Sequence, residues 1–243
     1  MKLNKIYQRD CLELIPQILD KSIDMILCDL PYGTTACKWD TIIPLKPLWE
    51  QYKRIIKDNG AIVLTASQPF TTILINSNLK MFKYELIWEK DRPTGLFTAK
   101  IQPMKAHENI LIFGKGKLKF NPQKWEGQQE SHKRGSSSVQ SAHYKGAKFR
   151  RETIGTLKNP RSVLYFKKDM PSIHNTQKPV ALFEYLIKTY TNEGDLVLDN
   201  CAGSGTTGVA CRNLNRNFIL IEKEPEYYKI AKARINAVPD RLF

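Results

Sequence analysis

Asp199-Asn200-Cys201-Ala202-Gly203-Ser204-Gly205-Thr206-Thr207-Gly208 is the stretch on which the reading of this chain turns. It follows the apolar run Leu196-Val197-Leu198, which reads as a buried strand, and precedes a helix expected to start near Gly205. A strand, a glycine-rich turn and a helix hold a nucleoside-containing cofactor well. Glycine adopts dihedrals closed to other residues and lets a ligand approach the backbone. The next apolar run, Phe218 to Ile221, ends at Glu222, a carboxylate placed to accept both hydroxyl hydrogens of a ribose. Gly203-x-Gly205-x-x-Gly208 alone also fits a dinucleotide site. The 35 residues after Gly208 leave room for one more strand and helix, too few for a second mononucleotide-binding half. The rest of the sheet is therefore expected upstream.

The upstream chain supplies it. Lys5 to Asp10 reads as a short strand ending in a carboxylate, and Leu12, Leu14, Ile15, Ile18 and Leu19 give a helical pattern interrupted by Pro16. Ile23 to Cys28 is nearly continuous in apolar residues, as a buried parallel strand should be, and runs into Asp29-Leu30-Pro31-Tyr32-Gly33. Ala61 to Leu64 is a third strand, introduced by a turn at Asp58-Asn59-Gly60. Phe82 to Trp88 and Ile110 to Phe113 are two more, joined by a loop that holds Arg92-Pro93-Thr94-Gly95 and His107-Glu108. After His174-Asn175-Thr176-Gln177-Lys178-Pro179 comes a helix with Phe183, Leu186, Ile187 and Tyr190 on one face, and a last helix is expected from Glu226 to Ile235. Four strands thus end in an acid: Asp10, Asp29, Asp199 and Glu222. In an open parallel sheet, ligands bind beyond the carboxyl ends of the strands, so the four are expected around one crevice.

Composition narrows the partner. The chain has 243 residues, a net charge of +14 and an apolar fraction of 42%, the make-up of a soluble globular protein with a polyanionic partner. Between Lys115 and Lys168 there are 14 Lys or Arg against three Glu, with interleaved aromatics such as Trp125, Tyr144 and Phe149. A solvated insertion and a nucleic-acid-contacting module both fit that segment; the clustered charge and aromatics favour the second, with Lys145, Lys148, Arg150 and Arg151 as candidate nucleic-acid contacts. The five cysteines form no C-x-x-C pair, which points to reduced thiols in a cytoplasmic protein, with no zinc or other metal expected. No apolar run approaches membrane-spanning length.

Asp29-Leu30-Pro31-Tyr32 resembles the Asp-Pro-Pro-Tyr motif of the amino-group DNA methyltransferases. Asp199 to Thr207 resembles the cofactor motif of that family, and His174 to Pro179 the segment before it. The catalytic motif first, the cofactor motif last and a basic segment between is the order of the circularly permuted β class. The resemblance implies a Rossmann-like α/β methyltransferase sheet, mostly parallel, with an antiparallel terminal hairpin. It implies S-adenosylmethionine as methyl donor, a base flipped out of double-stranded DNA as acceptor, and a homodimer. The division expected is a catalytic half at 1–114, a basic target-recognition insertion at 115–168 and a cofactor-binding half at 169–243.

By the same resemblance, Gly203 and Gly205 admit the methionyl part of the cofactor, Glu222 binds its ribose, Asp10 reads its adenine amino group, and Thr176 and Lys178 lie near its carboxylate. Cys11, Asp29, Asp199, Cys201, Ser204, Thr206, Thr207 and Lys223 are also expected against the cofactor. The catalytic set is Asp29, Leu30, Pro31 and Tyr32. Asp29 and the Leu30 carbonyl would accept the two hydrogens of an exocyclic amine and draw its delocalised lone pair towards tetrahedral geometry, while Tyr32 would stack on the base. Two departures stand out: Leu30 for the usual first proline, and Asn200-Cys201 for the commoner Pro-Phe. An opening aspartate is commoner among adenine N6 enzymes, a serine among cytosine N4 enzymes, so adenine N6 is expected and cytosine N4 is the alternative. A dinucleotide oxidoreductase, a non-catalytic DNA-binding protein with a vestigial cofactor fold, and RNA or protein amides as acceptors are the competing readings.

Overall fold

The structure, a computed structural model, describes residues 1–35, 37, 40–127, 156–170 and 177–239. Strands run over Lys5–Gln8 (β1), Ile23–Asp29 (β2), Ile56–Ala66 (β3), Phe82–Thr94 (β4), Lys105–Phe113 (β5), Trp125–Glu126 (β6), Leu157–Lys158 (β7), Val163–Phe166 (β8), Leu196–Asp199 (β9) and Asn217–Glu222 (β10). Helices run over Cys11–Leu14 (α1), Leu45–Ile55 (α2), Phe70–Ser77 (α3), Val180–Tyr190 (α4), Thr206–Asn213 (α5) and Pro225–Ala237 (α6). The chain divides into a body, Met1–Asn121 with Ser162–Phe243, and a small unit, Pro122–Arg161, in which β6 and β7 pair antiparallel. This unit is narrower than the 115–168 insertion expected from charge. Lys119 pairs with Asp24 and Asp195, Asn121 bonds α4's last turn and the residues after it, and β8 joins the main sheet.

The body's sheet is ordered β1-β10-β9-β2-β3-β5-β4-β8. All neighbours are parallel except β5, which runs antiparallel to both β3 and β4. The expected hairpin is therefore β4–β5, with β8 added outside it. An open β4 edge would leave a row of unpaired backbone groups. β8 covers that edge, and the Trp88 Nε1 donates to the Phe166 carbonyl at 2.9 Å.

Both faces of the central strands are buried, which is why β2 reads as one apolar run. Ile26 and Cys28 pack with Leu64, Leu198 and the helices α1, α2 and α3; Met25 and Leu27 pack with Val63, Val197 and the helices α4 and α5. Several boundaries differ from expectation for local reasons. Pro16 lacks a backbone donor, so the first helix stops at Leu14 and gives way to a short 3-10 turn at Ile15–Gln17. The turn at Asp58-Asn59-Gly60 is an irregularity inside β3: Ile23 pairs with Ile56 but Met25 pairs with Ala61. β4 and β5 extend through most of the expected loop, taking in Arg92 on one side and His107-Glu108 on the other. The sequence reading had no α2, though Leu48, Trp49, Tyr52 and Ile55 are its buried stripe at helical spacing.

Candidate active site

The four strand-end acids do meet. Asp10, Asp29, Asp199 and Glu222 line one cavity of about 580 Å³ at the carboxyl ends of β1, β2, β9 and β10. Leu30, Pro31, Tyr32, Lys178, Cys11 and Cys201 line it too, as do Gly203, Ser204, Thr206, Thr207 and Lys223. Thr176, Lys145, Lys148, Arg150 and Arg151 lie outside the described residues.

Gly205, expected against the cofactor, is not in the cavity wall. Its φ of 80° lies in the left-handed region, and a Cβ there would come 2.8 Å from the Ala231 Cβ on α6, so it is a turn and packing residue. Gly203 is the complement: its φ is 49°, and a Cβ would meet nothing within 4 Å. Open space at that point is what a cofactor approaching the backbone requires.

Each acid has a defined environment. Glu222 accepts from the Gly203 amide at 2.7 Å with one oxygen and from the Glu224 amide at 2.8 Å with the other, leaving lone pairs on both. Burial raises its pKa, and these amides offset part of that rise. Asp10 caps α1 through the Leu12 amide at 2.9 Å and pairs with Lys223 at 3.2 Å. Asp199 accepts from the Cys201 amide at 3.0 Å and the Thr207 hydroxyl at 2.5 Å, tying together the two ends of the glycine turn. Burial pushes its carboxyl up to about 7 against those hydrogen bonds. Asn200, the polar departure from the family pattern, is buried and accepts from the Tyr52 hydroxyl of α2 at 2.5 Å.

Asp29 sits at the end of β2, beside Thr65 on β3 in parallel register. Its Oδ1 accepts from the Tyr32 hydroxyl at 2.7 Å and from the Thr65 hydroxyl. Its Oδ2 pairs with Lys178 at 2.6 Å and, among the described residues, keeps one lone pair. Lys178 is buried and also pairs with Glu108 at 3.3 Å; burial disfavours its charge, but the two carboxylates outweigh this and hold its pKa above the usual lysine range. Glu108 pairs in turn with buried Lys90 at 3.5 Å. The Tyr32 ring stacks on Phe70 at 5.4 Å, and the Lys178 ammonium lies over it 5.7 Å from its centroid. Burial, then the Asp29 charge, push the Tyr32 hydroxyl well above its ordinary pKa, which keeps it a donor. Lys178, expected near a cofactor carboxylate, lines the cavity and is bonded to Asp29.

Sequence reasoning missed Thr65, Glu108 as a site group, and Asp40. The Asp40 carboxylate accepts from the Gly33, Thr34 and Thr35 amides at 2.8, 2.9 and 2.7 Å, pinning the loop after Tyr32. Burial raises its pKa, but these bonds outweigh that and lower it overall. The strand alternation of β3 was the available signal for Thr65; Asp40 carried none. Among the described residues no group of three or more His, Cys, Asp or Glu is placed to hold a metal ion, and no helix is long and apolar enough to cross a membrane.

A mostly parallel sheet with a glycine turn and an Asp-x-Pro-Tyr corner on one cavity defines a class, and comparison agrees: residues 23–233 match the DNA methylase family of N6 and N4 enzymes, and the chain belongs to that family. Among its relatives, the Type II methyltransferase M.BglII of Bacillus subtilis is 31% identical over 98% of this chain and 70% of its own length. The Type II methyltransferase M1.MboII of Moraxella bovis is 27% identical over 97% of this chain and 98% of its own. Among solved structures, the complex of M1.HpyAVI with SAM superimposes with a TM-score of 0.65 at 28% identity, covering 95% of this chain and 98% of that one. The cytosine-N4-specific PvuII DNA methyltransferase has a TM-score of 0.68 at 17% identity over 97% and 88%, a likeness of fold.

Proposed function

We propose that this DNA methyltransferase transfers a methyl group from S-adenosylmethionine to the N6 amine of an adenine flipped out of double-stranded DNA. The observation that carries the reading is Asp29, held by Tyr32, Thr65 and Lys178, in the same cavity as the glycine turn and Glu222. The residues present fit the cofactor: Gly203 borders open space, and Glu222 has free lone pairs for two ribose hydroxyls. When bound, the cofactor supplies an electrophilic methyl on a sulfonium.

The chain's own groups do the rest. The free lone pair of Asp29 Oδ2 accepts one amine hydrogen and the Leu30 carbonyl the other, which draws the nitrogen towards tetrahedral geometry. The nitrogen lone pair so exposed would be free to accept the methyl group that the cofactor would supply, with one amine proton lost towards solvent. Lys178 is a positioning residue, fixing one carboxylate oxygen while Thr65 and Tyr32 fix the other. Tyr32, which lines the cavity beside Asp29, stacks on the flipped base. Residues 1–114 with 169–243 serve as catalytic and cofactor-binding halves, and the basic segment, with Lys145, Lys148, Arg150 and Arg151, contacts DNA. The Type II relatives support a restriction-modification setting in the cytoplasm. A homodimer would appear as a doubled mass in sedimentation.

Cytosine presents the same amine, so the choice of adenine rests on the aspartate that opens the motif. Nucleoside mass spectrometry of DNA incubated with enzyme and cofactor tests it. N6-methyladenine is expected. N4-methylcytosine alone would overturn the base assignment and leave the mechanism, while 5-methylcytosine would overturn both.

A further inference from the structure

The connection between β4 and β5 is an ordered turn that turns its apolar side chains outward. A 3-10 turn at Leu96–Thr98 is closed by backbone bonds from Thr98 to Gly95, Ala99 to Leu96 and Ile101 to Thr98, and the Gln102 amide adds a bond to the Thr98 hydroxyl. Despite that order, Phe97 is fully exposed, Leu96 is 72% exposed and Ile101 84%. A hydrogen-bonded turn that buries none of its large apolar groups gains nothing from them in the isolated chain, so they mark a contact.

Charge and position say with what. From Arg92 to His107 the sequence has Arg92, Lys100 and Lys105 and no acid. A second copy would set these cations against one another across a symmetric contact, in a chain already at +14. A polyanion is matched. The stem of the turn also borders the site: Thr94 and Lys105 pair in register, and both line the cavity that holds Asp29.

We propose that this turn is a wedge that enters the DNA duplex beside the target base, with Phe97 leading and Leu96 and Ile101 at its flanks. An apolar side chain slipped between base steps offsets the lost stacking and keeps the gap open while the base is in the pocket. The inference rests on the base-flipping reading above.

The test is single-turnover methyl transfer by the wild-type protein and the Phe97→Ala variant, on duplexes carrying a site mapped by modification-sensitive sequencing. In one duplex the target base is normally paired; in the other it is mispaired, so that flipping is already easy. Because Phe97 is fully exposed, the variant should melt as the wild type does. On the paired target it should be slower by about tenfold, and on the mispaired target within about threefold of wild type, the signature of lost help in opening the pair. Equal rates for both proteins, or equal slowing on both duplexes, would overturn the wedge. So would sedimentation showing that Phe97→Ala breaks a dimer without a paired-versus-mispaired difference. Failure of the wild-type protein to modify any site in the mapping step would instead overturn the base-flipping reading beneath it.

Discussion

Asp29 is bonded on both carboxylate oxygens by the protein itself, and among the described residues one lone pair is left over. That makes it an acceptor aimed in one direction. Asp29→Ala should therefore lose methyl transfer by about a hundredfold or more, as misplacing a reacting group does. Cofactor and DNA affinity should hold, since Lys178 keeps Glu108 as its counter-ion. Parallel binding and rate measurements check this, and activity within a few-fold of wild type would remove Asp29 from its role. Glu222→Ala should weaken S-adenosylmethionine binding by about 1.5–3 kcal/mol, the worth of hydrogen bonds to a charged acceptor, read by calorimetry. Asp199 yields a pH effect. Its folded-state carboxyl, at about 7, lies above the ordinary 3.8, so the folded chain binds that proton more tightly than the unfolded one. Its contribution to stability is then fullest below about pH 4 and falls as pH rises to about 7, by a few kcal/mol at most. Asp199→Asn should flatten that part of the melting-temperature profile relative to wild type. At this scale Asp29, Asp199 and Glu222 were legible because each ends an apolar run, and Asp10 because it follows a short strand. The bond from Lys178 to Asp29 was not legible, because the two are 149 residues apart, beyond any local pattern.

Elements were legible where burial is two-sided and illegible where tertiary partners set the ends. β2 and β9 read directly as apolar runs. β8 did not, because Val163 to Phe166 is a mixed-exposure edge strand whose only reason to be extended is the open flank of β4. The turn between β9 and α5 (Thr206–Asn213) is the element where local conformation and packing coincide. Gly205→Ala would force a left-handed φ on a side chain and press its Cβ on Ala231. Strain and overpacking together should cost about 2–4 kcal/mol. A lower melting temperature and weaker cofactor binding are expected together; an unchanged melt would place the strain elsewhere.

For the whole molecule, the charge asymmetry is the main quantity. A net +11 sits in the 54 residues from Lys115 to Lys168, so DNA affinity should be steeply salt-dependent. Neutralising Lys145, Lys148, Arg150 and Arg151 together should weaken binding and flatten the slope of log affinity against log salt, with cofactor affinity unchanged. An unaltered slope would leave those residues as solvated charge. The order of the motifs was readable along the chain, but the order of strands was not, because sheet neighbours are chosen by pairing across long sequence separations.

That strand order bears on how the protein is made. β2 carries Asp29 early in the chain, yet its neighbour β9 and the partner of β1, β10, are translated only near the end; the Leu196 amide donates to Asp24 across 172 residues. During synthesis the first strands leave the ribosome with open edges and no cofactor turn beside them. Such far-separated parallel pairings are slow to form and leave sticky edges while they wait. A nascent or truncated chain thus holds the Asp29 corner without the glycine turn and Glu222 that share its cavity in the whole chain.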